Sequence, residues 1–218
     1  MKRIVLFSEI EKNTNSQDVL DAIFPNELED KTMLFMPSGG INTDYQHFYD
    51  EWESYCKIHG ATFELVDNSI PPEETEKVEY ELEKIRDSNI LVISGGDPFK
   101  MLYHLRRTGM DKEIKGFVDK ENYVLAGYSA GAMILTPTIA ITTMEVTNHE
   151  GNRVPIHDVR GKSVLPELHN DLTGLEIVDF EIIPHYVAKY ANDVELYRIS
   201  SNNKVKTCTD DEFYIIEK

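Results

Sequence analysis

The chain has 218 residues, of which 41% are hydrophobic, and its formal net charge is −17. This length accommodates one substantial core, and we expect a single domain over residues 1–218. A strongly acidic surface repels phosphate backbones and anionic lipids. We therefore expect neither a nucleic acid nor a membrane as a partner.

Cysteine and histidine placement argues against a metal or a cofactor. Cys56 and Cys208 are far apart, so we expect two buried free thiols, as is usual in a reducing compartment. The seven histidines fit no metal-binding spacing, and the glycine loops at 38–40 and 94–96 complete no phosphate-binding pattern. The apolar run at 3–7 is too short for a signal peptide or a membrane span. We expect a cytoplasmic protein without a cofactor.

Short apolar runs alternate with helical segments along the first 120 or so residues. The pattern predicts strands at 3–7, 32–36, 62–66, 89–93 and 123–126, separated by helices at 18–24, 44–59, from 71 onward, 98–107 and 111–120. This alternation is typical of an α/β fold with a mostly parallel sheet and helices on both faces. Loops after the strands should therefore share one edge, where such sheets form sites.

The pattern changes beyond residue 135. Residues 138–147 are rich in β-branched side chains and predict an extended segment or a hairpin. Residues 148–172 are polar and predict a long loop, of the kind that often serves as a lid. A strand at 175–183, a helix at 187–199 and a closing hairpin of 204–208 with 213–217 complete the chain.

Residues 127–131 read Gly-Tyr-Ser-Ala-Gly and lie between a predicted strand and a predicted helix. In that context the pattern predicts a nucleophile elbow, in which small residues permit a sharp turn. Ser129 is therefore the candidate nucleophile. The N–H of Ala130, at the helix start, is a candidate oxyanion donor, and the Gly95-Gly96 loop is a candidate for the second donor.

A serine hydroxyl needs a base, and the base needs an orienting acid. His185 follows a predicted strand and Pro184, which places its ring at the same sheet edge as Ser129. The residues alone leave the acid open. The chain order of α/β-hydrolases nominates Asp171 or Asp179. The acids that follow the histidine are Asp193, Glu195 and the cluster at 210–212.

Three motifs occur in a fixed order: residues 90–99 with Ser94-Gly95-Gly96-Asp97-Pro98, the elbow at 127–132, and Ile183-Pro184-His185-Tyr186. Together they resemble the peptidase E (aspartyl dipeptidase) and cyanophycinase family of serine peptidases. The resemblance implies a flavodoxin-like sheet of the class I glutamine-amidotransferase kind, with serine in place of that group's nucleophilic cysteine. Small β additions are expected after the elbow and at the carboxyl terminus.

The resemblance also implies roles for individual residues. Ser129 would be the nucleophile and His185 the base, while Gly96 and Ala130 would supply the oxyanion N–H groups. Counting back from the apolar pair Tyr214-Ile215 nominates Asp211 as the acid, and the alternatives are Glu212 and Glu145.

Two positions depart from the family pattern. Asp97 stands where the family commonly has asparagine, and residues 187–193, after the histidine motif, contain no arginine to match the one with which aspartyl dipeptidases hold their substrate. In place of the family's asparagine and arginine, Asp97 and Lys189 are the candidate substrate contacts. Strict aspartyl dipeptidase activity is therefore not expected.

The sequence predicts a serine peptidase that hydrolyses short peptides, as a dipeptidase or exopeptidase does, through a Ser-His-acid triad and an acyl-enzyme. The sequence leaves open whether the chain forms a homo-oligomer. One alternative is a non-catalytic member of the same fold that binds a small ligand, favoured if neither Asp211 nor Glu212 reaches His185. The other alternative is an esterase, which predicts Asp171 or Asp179 beside the histidine.

Overall fold

The structure, a computed structural model, describes residues 1–11, 13–148, 150–156, 171–201 and 203–218. The strands are β1 (Lys2–Phe7), β2 (Thr32–Met36), β3 (Thr62–Leu65), β4 (Ile90–Ile93), β5 (Tyr123–Tyr128), β6 (Glu145–Thr147), β7 (Arg153–Pro155), β8 (Phe180–Ile183), β9 (Lys204–Thr207) and β10 (Phe213–Glu217). The α-helices are α1 (Ser16–Ile23), α2 (Gln46–His59), α3 (Thr75–Asp87), α4 (Pro98–Thr108), α5 (Met110–Phe117), α6 (Ala130–Ile134) and α7 (Ala191–Ser200). Short 3₁₀ turns lie at Thr43–Tyr45, Ala140–Thr143 and Ala188–Tyr190.

The central sheet has six strands in the order β10-β1-β5-β4-β2-β3, and β1 with β10 is its antiparallel pair. Alternate residues of β1 face two different cores, because successive side chains of a strand point to opposite faces. Ile4 and Leu6 belong to one buried cluster, whereas Val5 and Phe7 belong to the other. Helices α3 to α6 contribute to the first cluster, and α1 and α2 contribute to the second. The predicted α/β class is confirmed.

The carboxyl-terminal strands do not form the hairpin that the sequence predicted. Strand β9 pairs in parallel with β8 in a separate two-stranded sheet, whereas β10 joins the central sheet beside β1. Cys208 N donates to Ile183 O, and Tyr186 N donates to Cys208 O, which extends the β8–β9 contact beyond the strands. The turn between β9 and β10 therefore carries the chain from one sheet to the other and lies beside the end of β8.

The segment after the elbow helix is only partly extended. Residues 140–143 form a 3₁₀ turn, and β6 pairs with β7 as an antiparallel hairpin. The strand predicted at 175–183 begins only at Phe180. The predicted lid at 148–172 falls largely on residue 149 and residues 157–170, which lie outside the described residues. None of the helices that the structure describes has the length and apolar character needed to cross a membrane.

Candidate active site

The elbow at Ser129 joins β5 directly to α6. Ser129 has φ 50° and ψ −117°, a sparsely populated conformation for a residue with a side chain. Its N–H donates to Phe7 O at 3.0 Å, so the neighbouring strand β1 holds the turn. A Cβ atom at Gly127 would lie 2.7 Å from Gly131 O, and one at Gly131 would overlap the carbonyl of Ile93. The two glycines are therefore a steric requirement of this turn.

His185 lies just beyond β8, and it too has a positive φ, 53°. Its backbone N–H donates to Ser8 Oγ at 2.9 Å, and the Ser8 hydroxyl donates to Cys208 O at 2.9 Å. Ser8 directly follows β1 and is fully buried. One hydroxyl thus links the ends of β1, β8 and β9. Sequence reasoning missed Ser8, although its place after a strand carboxyl end was a usable signal.

A chain of two hydrogen bonds runs through the imidazole ring. His185 Nε2 lies 3.0 Å from Ser129 Oγ, and His185 Nδ1 lies 2.6 Å from Asp210 Oδ1. A carboxylate only accepts hydrogen bonds, so Nδ1 carries the proton and Nε2 is left to accept from the serine hydroxyl. The side chains of His185 and Asp210 are 34% and 46% exposed, so the chain lies at the surface of a cleft.

The structure corrects the predicted acid by one residue. Asp211 Oδ1 accepts from Thr14 N and Thr14 Oγ1, at 2.9 and 2.8 Å, and so faces away from the histidine. These hydrogen bonds from the Thr14 backbone and side chain hold the pKa of Asp211 below its usual value. Glu212 accepts from Thr209 N and closes the turn, while Glu145 lies 4.0 Å from Arg153 on β7. Consecutive side chains of a tight turn point in different directions, and a count along the sequence cannot set that register.

The acids that an esterase would use also lie elsewhere. Asp171 is paired with Arg106 at 3.1 Å and accepts from Thr173 N, and Asp179 is paired with Lys204 at 2.8 Å. The esterase prediction for the acid is therefore wrong. The binding-protein alternative was to be favoured if neither Asp211 nor Glu212 contacted His185, and both carboxylates indeed have other partners. Asp210 of the same cluster nevertheless takes the place beside His185.

The candidate oxyanion donors lie on two segments beside Ser129. Ala130 is the first residue of α6, whose leading N–H groups have no partner within the helix. Gly96 has φ 136°, and a Cβ atom there would overlap the hydroxyl of Ser38. A Cβ atom at Gly95 would lie 3.1 Å from the Ser129 Cβ atom, so the glycine loop approaches the serine closely.

The two candidate substrate contacts have other roles. The Asp97 carboxylate caps α4 by accepting from Phe99 N and Lys100 N, at 2.9 and 3.1 Å. Lys189 Nζ lies 4.8 Å from the centre of the Tyr190 ring. Neither residue is among the described residues that line the cavity beside the serine.

This cavity has a volume of about 410 Å³, and Ser129 and His185 form part of its wall. The rest of the wall comes from the segment after β1, the glycine loops after β2 and β4, and the first half of α2. The opening therefore lies where the carboxyl ends of the parallel strands meet, as expected for this class of sheet.

Two further sets of groups have the residue types of metal or thiol chemistry. Glu9, His185 and Asp210 each place a ligand atom within 4.8 Å of the others. The hydrogen bond between His185 and Asp210 brings two of these three groups together. Burial raises the pKa of Cys56 to about 12 and that of Cys208 to about 11, so these buried, free thiols are not nucleophiles at neutral pH.

Comparison with known proteins identifies the family. The chain matches the model of Peptidase family S51 over residues 4–212. It is 26% identical over 195 residues to an uncharacterized peptidase of Listeria monocytogenes, which covers 84% of each chain. It is 24% identical over 156 residues to peptidase E of Nostoc sp., which covers 72% of this chain and 52% of that protein. A solved structure from Listeria monocytogenes EGD-e, provisionally named peptidase E, aligns with a TM-score of 0.67 at 21% identity over 99% of this chain and 94% of that one. The chain therefore belongs to peptidase family S51, a family of serine peptidases.

Proposed function

We propose that this protein hydrolyses short peptides by nucleophilic catalysis from Ser129, with an acyl-enzyme intermediate. One observation carries the proposal. A hydrogen-bonded chain runs from Ser129 through His185 to Asp210, and its serine and histidine line a cavity, in a member of a serine peptidase family. A serine, a histidine in the correct tautomer and an orienting carboxylate are the groups that acyl transfer requires.

The reaction begins with proton transfer. His185 Nε2 takes the hydroxyl proton of Ser129 as Oγ attacks the scissile carbonyl carbon, and the carbonyl π electrons move to the oxygen. Asp210 stabilises the imidazolium that forms. The imidazolium then gives its proton to the departing amine nitrogen, the C–N bond breaks, and an ester to Ser129 remains. Water deprotonated by His185 attacks that ester and releases the acid product.

The N–H groups of Gly96 and Ala130 are the proposed donors to the developing oxyanion. Donors that are already oriented toward that charge stabilise the transition state more than the substrate. A cavity of about 410 Å³ lies in the range of small-ligand clefts, roughly 300–1,000 Å³. Its size favours a peptide of a few residues over a folded protein, which supports a dipeptidase or exopeptidase-like reaction.

Covalent labelling with a fluorophosphonate tests the nucleophile. The wild-type chain should be labelled at Ser129, and Ser129→Ala should not be labelled. Ser200→Ala is the matched control, because that hydroxyl bonds to Tyr197 O at the end of α7 and does not line the cavity. A folded wild-type protein that resists the reagent would refute the proposal.

A dipeptide library, run beside simple aryl esters and longer peptides, tests the substrate class. We expect dipeptides to be turned over by the wild-type chain and not by Ser129→Ala. Rapid turnover of aryl esters without peptide hydrolysis would instead favour an esterase. The cytoplasmic location and any homo-oligomer stay predictions.

A further inference from the structure

The cavity beside Ser129 is walled by aromatic rings. Trp52 of α2 stacks on Tyr128, the residue before the nucleophile, with ring centroids 6.2 Å apart and an interplanar angle of 22°. Phe35 at the end of β2 lies 5.6 Å from Trp52 and 6.0 Å from Tyr49. The aromatic lining consists of Phe35, Tyr45, Phe48, Tyr49, Trp52 and Tyr128.

Carboxylates line the same cavity. Glu9 and Glu11 come from the segment after β1, and Glu51 comes from α2. Glu51 accepts a hydrogen bond from the hydroxyl of Tyr55, which fixes its side chain next to Trp52. Burial, together with the negative charges of Glu51 and Glu11, raises the pKa of the Tyr128 hydroxyl above its usual value. These carboxylates therefore lie close to the aromatic wall beside the nucleophile.

No lysine or arginine lines the cavity in the part of the chain that the structure describes. Lys100 does not line the cavity but lies beside its lining residue Gly39, since its Nζ would lie 3.1 Å from a Cβ atom there. An aspartyl side chain entering this space would therefore meet like charges and no described counter-ion on the wall. A cation would meet these carboxylates and the rings of Tyr45 and Phe48, the two lining rings beyond Tyr128 that are not buried.

We propose that this cavity selects a peptide residue with a long cationic side chain, lysine or arginine, immediately before the cleaved bond. This inference rests on the proposed peptidase function and names its substrate class. Aromatic faces attract ammonium and guanidinium groups and also cover the aliphatic stem behind them. The Glu51 carboxylate then takes the charged head.

Amino-acid diphenyl phosphonates test the proposal, because they label the serine covalently at a rate set by the side chain. Lysyl and norleucyl phosphonates share the aliphatic stem and differ in the terminal ammonium, and an aspartyl phosphonate supplies the opposite charge. We expect the lysyl probe to label Ser129 about tenfold faster than the norleucyl probe, and the aspartyl probe to be slowest.

The variant Glu51→Gln keeps an acceptor for Tyr55 and removes only the charge. It should lower the ratio of lysyl to norleucyl labelling rates about tenfold. Glu11→Gln, at an exposed position that tolerates change, should lower the same ratio severalfold. Glu53→Gln is the matched control on α2, because Glu53 pairs with Lys57 at 3.2 Å and does not line the cavity; it should leave the ratio unchanged.

The outcomes separate this inference from the proposed function. If a simple fluorophosphonate labels Ser129 but the lysyl probe is no faster than the norleucyl probe, the specificity is wrong and the peptidase proposal stands. A ratio that is unaffected by both glutamate variants also overturns the specificity. If no phosphorus reagent labels Ser129, both proposals fail together.

Discussion

Replacing Asp210 by asparagine tests whether this carboxylate, and not its neighbour, supports the histidine. Unit charges 4 Å apart interact by about 1 kcal/mol in bulk water and by about 4 kcal/mol at an effective dielectric constant of 20. Since His185 and Asp210 are 34% and 46% exposed, the electrostatic loss lies between these limits, at about 2 kcal/mol or roughly 30-fold. An asparagine amide N–H also favours the tautomer in which Nε2 carries the proton, and that tautomer cannot accept from Ser129. In a buried triad the same change costs about 10⁴-fold, so we expect a loss of about 10²- to 10³-fold here.

The assay is the second-order rate constant for fluorophosphonate labelling at pH 7.5, with Asp211→Asn as the control. An asparagine at 211 keeps the oxygen that accepts from Thr14. We therefore expect a change of about twofold or less, as is usual for surface substitutions. If Asp211→Asn slowed labelling as strongly as Asp210→Asn, the assignment of the acid by the 2.6 Å contact would be refuted.

Ser8→Ala should lower the fluorophosphonate labelling rate about tenfold, because the His185 N–H loses its buried acceptor; an unchanged rate would show that the serine has no positioning role. Gly131→Ala should cost about 1–3 kcal/mol in urea unfolding, since its Cβ atom would overlap the end of β4, whereas Gly116→Ala, with open space around it, should be neutral or slightly stabilising. Burial, followed by neighbouring positive charges, lowers the pKa of His104 to about 4. As the pH falls, the imidazole of the unfolded chain therefore takes up its proton before that of the folded chain. The free energy of unfolding should be unaffected by this group above about pH 6.5 and should fall by up to about 3 kcal/mol as the pH drops to 4. The variant His104→Gln should show a smaller loss between pH 7 and 4.5 in the same unfolding assay, and an equal loss would contradict the assignment.

The parallel sheet was predictable because its strands are buried on both faces. The four residues of β4 are all fully buried and read as an unbroken apolar run, Ile-Leu-Val-Ile, which a sequence pattern detects without tertiary information. The predicted bounds of β2 agree with the structure. Strands β9 and β10 were also located, but their partners were not. Both are short and partly exposed, so their apolar pattern did not distinguish a hairpin from membership in two different sheets.

The site was predictable to the extent that local backbone geometry imposes residue types. Gly127 and Gly131 are required sterically around Ser129, so the elbow can be recognised from the residue types at these positions. The position of the acid cannot be recognised in this way. Asp210 and Asp211 are identical in type, and only the hydrogen bonds from Thr14 to Asp211 determine which carboxylate turns toward the histidine. Those bonds join segments almost 200 residues apart, and no local pattern reports them.

The end of β1 explains how two strained residues come to face each other. Ser129 and His185 both have positive φ, and such conformations cost about 1–3 kcal/mol each unless neighbouring structure holds them. In both cases the backbone N–H is held from the end of β1, at Phe7 O for the serine and at Ser8 Oγ for the histidine. Because β1 lies between β5 and β10 in the sheet, it is the element best placed to reach both the elbow and the Cys208 turn. The 3.0 Å contact between the serine and histidine side chains therefore depends on sheet order, since the backbones of both residues are hydrogen-bonded to the same strand end.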